Sequence, residues 1–320
     1  MAGPDTRGMW TGVQSALDPT GPSAAAIARL SWVMFIGGGL IFVFVMALLA
    51  CALYGPVRAR KWLASHAAVA IGGVAFPVVV LSALLVYGLT LARAIVREPG
   101  EASLRIAVVG EQFWWRVRYE PETDRGELIT ANEIHVPVGK PVRFALTTAD
   151  VIHSFWIPNL GGKLDMIPGQ ANTFVLQADR PGVYRGQCAE FCGGAHALMA
   201  FDVVAHAPDA FAAWVAAQQR PAIEPTGGEE QRGKDLFLAV GCGACHTVRG
   251  TPAAGLLGPD LTHVGSRRSI AAATSPNTAS TVAGWIASSQ HMKPSSKMPS
   301  FDMLADGELR AIAAYMVSLK

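Results

Sequence analysis

The sequence predicts a multi-domain membrane protein in which a two-helix transmembrane hairpin is followed by a β-sandwich domain and an all-α domain. Three observations carry this. Two long apolar stretches lie before residue 100; from residue 104 they give way to short alternating runs punctuated by glycine and proline; from residue 229 the apolar spacing becomes helical around a Cys-x-x-Cys-His motif. The boundaries read as an N-terminal segment 1–29, the hairpin 30–93, the sandwich 104–207, a linker 208–228 and the C-terminal domain 229–320.

At 320 residues the chain has room for two or three domains. Charged residues make up 16% and hydrophobic residues 51%, as suits a chain partly in lipid. The formal net charge of +2 is too small to argue for nucleic acid, and no basic stretch is interleaved with aromatics. Of the five cysteines, four fall in two motifs, and Cys51 inside an apolar run reads as a buried, inert thiol. That distribution does not suit a structural disulfide framework.

In the hairpin, residues 30–54 and 67–91 each exceed the ~20 residues that cross a bilayer core. Pro77 interrupts the second run, where neighbouring helices can compensate for its missing N–H. Arg58, Arg60 and Lys61 concentrate positive charge between the runs. By the positive-inside rule that loop is cytoplasmic and both chain ends lie on the other side. The first 29 residues lack the apolar core of a signal peptide, so an uncleaved hairpin with its N-terminus outside is expected.

In the sandwich, strand-like runs cover 105–110, 113–119, 133–137, 142–146, 174–177 and 183–185, separated by turn residues. The last delivers Cys188-Ala-Glu-Phe-Cys192-Gly-Gly-Ala-His196-Ala-Leu-Met199, with His153 upstream in Asp150-Val-Ile-His-Ser-Phe. Thiolate and thioether are soft ligands that select copper, and imidazole suits copper too. Two thiolates can bridge two copper ions, with His153 and His196 terminal and Met199 weak and axial. The rival is one structural zinc held by Cys188, Cys192, His196 and His153, but zinc has no need of Met199 and carries no electron. Loops between rigid strands are the expected seat of these ligands.

The stretch from His153 through Lys163-Leu-Asp-Met-Ile-Pro-Gly169 to Met199, behind a two-helix hairpin, resembles the copper-A domain of cytochrome c oxidase subunit II, a cupredoxin-like fold. The resemblance covers about residues 30–207. It implies a binuclear copper site of His153, Cys188, Cys192, His196 and Met199 with the backbone carbonyl of Glu190. It also implies that the Glu190 carboxylate meets a magnesium ion at the contact with the catalytic subunit. In that family the leading tryptophan of a Trp-Tyr-Trp run receives electrons from soluble cytochrome c. Here the run is Phe113-Trp114-Trp115, with phenylalanine leading, so direct transfer at the leading position is in doubt although all three remain candidates to receive electrons.

The linker holds a short helical stretch, Asp209-Ala-Phe-Ala-Ala-Trp-Val-Ala, and then a run rich in proline and glycine. Beyond it, Cys242-Gly-Ala-Cys245-His246 places two thiols for thioether bonds to a haem and a histidine for its proximal face. A thioredoxin-like motif is the alternative, and His246 with no βαβ pattern argues against it. Residues 229–320 resemble a small class I cytochrome c. By that resemblance Gly258-Pro-Asp-Leu261 packs beside His246, and Lys297-Met298-Pro299 is the distal loop with Met298 as axial ligand. Met292 and Met303 are its competitors. Leu309, Ile312, Ala313 and Met316 form the packing face of a final helix, and His263 and His291 read as surface residues.

Together the resemblances imply subunit II of a haem–copper terminal oxidase with a fused cytochrome c, two-pass in the bacterial cytoplasmic membrane, both metal domains periplasmic. Electrons pass from a cytochrome c-like donor to haem c, to copper-A, and to a catalytic subunit I that reduces oxygen and pumps protons, alongside other oxidase subunits. A copper-A subunit of a nitric oxide reductase and a free-standing membrane-tethered carrier are the alternatives. The chain alone is not expected to reduce oxygen, because its apolar runs hold no histidine cluster.

Overall fold

A computed structural model describes residues 12–96, 104–120 and 127–320. The hairpin is a unit of its own. Helix α1 (Pro22–Tyr54) has 33 residues, a length of ~50 Å at 1.5 Å per residue. No charged side chain stands between Arg29 and Arg58, and Gly55-Pro56 ends the helix with the Gly55 N–H bonded to the Cys51 carbonyl at 2.8 Å. Helix α2 (Val57–Leu63) carries the three basic residues. Helix α3 (His66–Ala70) is capped by Ser65, whose hydroxyl accepts the Ala68 N–H.

A π turn, Ile71–Ala75, then leads into α4 (Phe76–Val96). The turn is the local answer to Pro77. Proline brings no N–H and crowds the turn before it, and in the widened turn the Phe76 N–H reaches the Ile71 carbonyl five residues back. Both α1 and the segment His66–Arg93 are long and apolar enough to cross a membrane.

The second unit holds everything else that is described. Its sandwich has strands β1 (Leu104–Glu111), β2 (Trp114–Tyr119), β3 (Leu128–Ala131), β4 (Glu133–Pro137), β5 (Val142–Thr148), β6 (His153–Trp156), β7 (Lys163–Met166), β8 (Asn172–Leu176), β9 (Gly182–Cys188) and β10 (Ala200–His206). One sheet runs β3-β2-β1-β5-β8 and the other β4-β10-β9-β6-β7. Pairs β1–β5 and β4–β10 are parallel and the rest antiparallel. Alternation buries Ile106 and Val108 from β1, and Trp115, Val117 and Tyr119 from β2. The inner faces meet over an aromatic cluster: Phe201 lies 5.0 Å from Trp115 and 4.7 Å from Phe155, centroid to centroid.

Residues 12–21 lie along this sandwich. Asn159 donates to the carbonyls of Gly12 and Asp18, the Arg185 N–H to Val13, and Arg180 pairs with Asp18 at 2.9 Å.

The C-terminal lobe follows a helix α5 (Pro208–Gln218) and is built from α6 (Gly228–Ala239), α7 (Ala279–Ala287), α8 (Ser289–Met292) and α9 (Asp306–Ser318), with a two-stranded ribbon of β11 (Ser269–Ile270) and β12 (Ser275–Pro276). Helices α6 and α9 cross at Gly233, where any Cβ would collide with the Ala311 carbonyl. Leu309, Ile312, Ala313 and Met316 are all buried, as their spacing predicts.

The segment 208–228 is more than a tether. Helix α5 seats Phe211, Trp214 and Val215 against the sandwich core. Trp214 stacks flat on His135 at 4.0 Å. The stretch beyond it is pinned to the C-terminal lobe: the Ala222 N–H donates to Arg249, the Arg249 guanidinium to the carbonyls of Gln218 and Gln219, and Lys234 pairs with Glu224. His263, expected at the surface, is buried at 5% exposure and bonds the Arg220 carbonyl at 3.0 Å. His291 is exposed.

Candidate metal and cofactor centres

Strand pairing assembles the first centre. β6 and β9 are neighbours, with Phe155 opposite Cys188, so His153 at the start of β6 and Cys188 at the end of β9 come together. Two of the predicted ligands therefore sit on strand ends rather than loops. Only Glu190, Cys192, His196 and Met199 lie on the connection to β10, which is closed by a 3₁₀ turn at His196–Leu198.

The two thiol sulfurs are 3.8 Å apart. That is too far for a disulfide bond of ~2.05 Å, yet less than twice a ~2.3 Å metal–thiolate bond, so one ion can touch both. Each sulfur has its own imidazole: His153 Nδ1 stands 3.8 Å from Cys188 and His196 Nδ1 stands 3.6 Å from Cys192. The Met199 thioether is 3.8 Å from Cys192, and the Glu190 carbonyl 3.2 Å from Cys188. His153, Cys188 and Cys192 offer ligand atoms within 4.8 Å of one another, and His196 stands outside that set. One tetrahedral ion needs all four donors around one point. Here they spread along the pair of sulfurs, which suits two ions better than a single zinc.

His153 is oriented from behind. Its Nε2 bonds Asp150 at 2.8 Å, the carboxylate support that metal-bound histidines commonly have. Asp150 also accepts the N–H groups of Gln112 and Val151. Burial works against its ionisation, but these bonds outweigh it and hold the carboxyl below its ordinary range. The neighbouring thiols differ in acidity. The Cys192 S–H beside it, with His153, overcomes burial and draws Cys188 down to about 3, and the same pairing pushes Cys192 up. His153, Cys188, Cys192 and Met199 are buried, at 0–3% exposure, while His196 is half-buried. The Glu190 side chain points away, 45% exposed and 3.8 Å from Lys163.

The second centre is a cavity of about 570 Å³ lined by Cys242, Cys245, His246, Met298, Leu261, Ile286, Ile312 and Met316. That is within the ~300–1,000 Å³ range of cofactor sites. Gly241, at φ 90°, turns the chain into the 3₁₀ turn that carries the cysteines. His246 Nδ1 bonds the Pro259 carbonyl at 2.8 Å, which leaves Nε2 for a metal. Burial lowers the His246 pKa, favouring the neutral ring that ligates. Gly258 packs against that ring so closely that a Cβ would strike it. Of the three candidate methionines, Met298 lines the cavity, Met303 is 73% exposed and Met292 faces Gly284.

The turn between β1 and β2 touches both centres. Phe113 and Trp114 line the cavity. On the other side Gln112 Nε2 donates to the Cys192 carbonyl at 2.6 Å, and a Cβ on Gly193 would meet the Phe113 ring at 3.1 Å. Phe113 is only 6% exposed, and Trp115 is at 0%, a core residue whose ring is 6.1 Å from that of His153. Lys293 bonds the Phe113 carbonyl at 2.6 Å, and burial draws its pKa down to about 7.

Known proteins resemble this chain. The family described as cytochrome C oxidase subunit II, periplasmic domain, matches residues 120–206, and the cytochrome c family matches residues 230–320. Cytochrome c oxidase subunit 2 of Alkalihalophilus pseudofirmus is 35% identical over 317 residues, covering 96% of this chain and 91% of the relative. This chain belongs to the cytochrome c oxidase subunit 2 family. The Bacillus subtilis member is 32% identical over 230 residues, covering 69% of this chain and 63% of its own length. The solved periplasmic domain of subunit II from Bradyrhizobium japonicum is 34% identical, covering 37% of this chain and 95% of that one at a TM-score of 0.35.

The cluster has supports that its residue order does not announce. Asp150 is one; a carboxylate three residues before His153 is the only signal it leaves. Lys293 and its acceptors leave none, because a lysine that bonds backbone carbonyls needs no partner side chain.

Proposed function

We propose that this chain is the electron-transfer subunit II of a haem–copper terminal oxidase. Cys242, Cys245, His246 and Met298 would hold a covalent haem, and His153, Cys188, Cys192, His196, Met199 and the Glu190 carbonyl would hold a binuclear copper site; both would supply one-electron carriers tuned by their ligands. Electrons from a cytochrome c-like donor enter at the C-terminal lobe and leave through the sandwich to a catalytic subunit I. That partner reduces oxygen to water and pumps protons.

The observation that carries this reading is the Gln112–Phe113–Trp114 turn, whose aromatics wall the cavity while its glutamine holds the Cys192 backbone. Buried Phe113 offers little surface to a soluble donor, so the fused lobe occupies the place such a donor would take. Half-exposed Glu190 supplies one carboxylate for a magnesium ion whose other ligands would come from another chain.

For topology, residues 12–21 and the sandwich are hydrogen-bonded to each other, and the two spans lie between them in sequence. An even number of crossings with Arg58, Arg60 and Lys61 in the cytoplasm satisfies both facts and puts the sandwich in the periplasm. Purification of the intact complex in detergent, with mass spectrometry for partners and covalent haem, tests the assignment. A haem-bearing chain with a catalytic oxidase subunit is expected; a chain that purifies alone, or with one zinc and no copper, would contradict it.

A further inference from the structure

Three successive residues of the C-terminal lobe, Ala271, Ala272 and Ala273, hold φ angles of 54°, 61° and 56°. Left-handed backbone is costly for a residue with a Cβ and normally occurs singly. A run of three persists only where its surroundings over-determine it. What over-determines it here comes largely from the sandwich. The Ala272 carbonyl accepts the Ala200 N–H at 3.2 Å, and the Ala273 carbonyl accepts the Arg185 guanidinium at 2.9 Å. The Ala271 carbonyl accepts Lys293 Nζ at 3.0 Å, and that same ammonium bonds Phe113 of the sandwich. The Thr274 hydroxyl shares its proton between Ala271 at 2.7 Å and Leu198 at 3.1 Å.

Leu198 and Ala200 are the two neighbours of Met199. The turn therefore grips the backbone immediately before and after that thioether, while the Met199 carbonyl accepts the Cys188 N–H from the other side. We propose that the left-handed turn 271–274 is a positioning element for Met199: docking of the haem lobe fixes the residues that flank the thioether and so sets how closely its sulfur approaches the two thiolates. Resting on the copper reading above, this makes the haem lobe part of the scaffold of the copper centre as well as its electron source. A weak axial methionine tunes the potential of a copper–thiolate site, so loosening the grip should change the copper spectrum without removing a ligand.

The test uses the full-length chain in detergent with Thr274→Val, Thr274→Ser and Lys293→Met. Hydrogen exchange over residues 196–201 and the electron paramagnetic resonance spectrum of the copper centre are the readouts. Faster exchange at Ala200 and an altered hyperfine pattern are expected in Thr274→Val, with both restored in Thr274→Ser. Lys293→Met, which loosens the turn from its other side, is expected to move both readouts in the same direction. A wild-type signal that every variant leaves unaltered overturns this inference alone. A wild-type protein without any mixed-valence copper signal overturns the copper reading and this inference with it.

Discussion

Cys192 sits at the centre of the first site, within 3.8 Å of three donor atoms on Cys188, His196 and Met199. Cys192→Ser replaces a soft bridging thiolate with a hard hydroxyl. The expected outcome is loss of the delocalised mixed-valence signal in a chain that still folds, read by paramagnetic resonance and circular dichroism together. Asp150→Asn tests the support behind His153. Weakening an outer partner of a ligand histidine typically costs ~10–100-fold in metal affinity, and competition against a copper chelator should show a loss of that order with His153 itself unchanged. The cluster of cysteine, histidine and methionine is legible in the sequence because soft-metal chemistry calls for those residue types close together. The roles of Asp150 and Gln112 are not, since they arise only where β1, β2 and β6 bring residues 112, 150, 153 and 192 together.

Gly233 decides the crossing of α6 and α9. Gly233→Ala must push the two helices apart, and overpacking of this kind costs ~1–3 kcal/mol. A lower melting temperature of the haem lobe is expected with the sandwich unaffected, measured by following haem and copper absorption separately on heating. Strands with clear alternation, such as β1 and β2, are legible from the residue pattern alone. β3 and β7 have four residues each, too few for a period to register. β6 is hidden in the sequence because His153-Ser-Phe-Trp156 looks like part of a metal-binding loop. The role of α5 is equally out of reach: its helical stretch is visible, but its docking depends on His135 meeting Trp214 across the fold. At Pro77 the sequence shows the missing donor, while the π turn just before it is a choice of backbone no side chain announces.

On the scale of the whole molecule, the haem lobe is held against the sandwich by buried polar contacts as well as by its linker. Glu133, at 4% exposure, bonds His135 at 2.9 Å and the Arg268 N–H at 2.8 Å. Burial opposes its ionisation, but the hydrogen bond and charge of His135 and the Arg268 N–H prevail, and its pKa is lowered. A carboxylate with a depressed pKa contributes stability above its unfolded value of ~4.3 and loses it as pH falls through the folded value. Glu133→Gln should therefore lower the melting temperature at neutral pH, and the gap to wild type should close on acidification below that range. A gap that stays constant with pH would mean that the charge of Glu133 plays no part. The domain order is readable from composition and motifs alone. That the two metal-binding lobes share the Gln112–Trp114 turn is not, since the residues joining them are far apart in the chain.

Stopped-flow reduction of the intact oxidase by its natural cytochrome donor tests the central claim most directly. The haem band should be reduced first. The copper band should then follow at a rate independent of donor concentration, because both lobes are already in contact within one chain. Copper reduced before the haem, or at a rate that rises with donor concentration while the haem lags, would contradict the account.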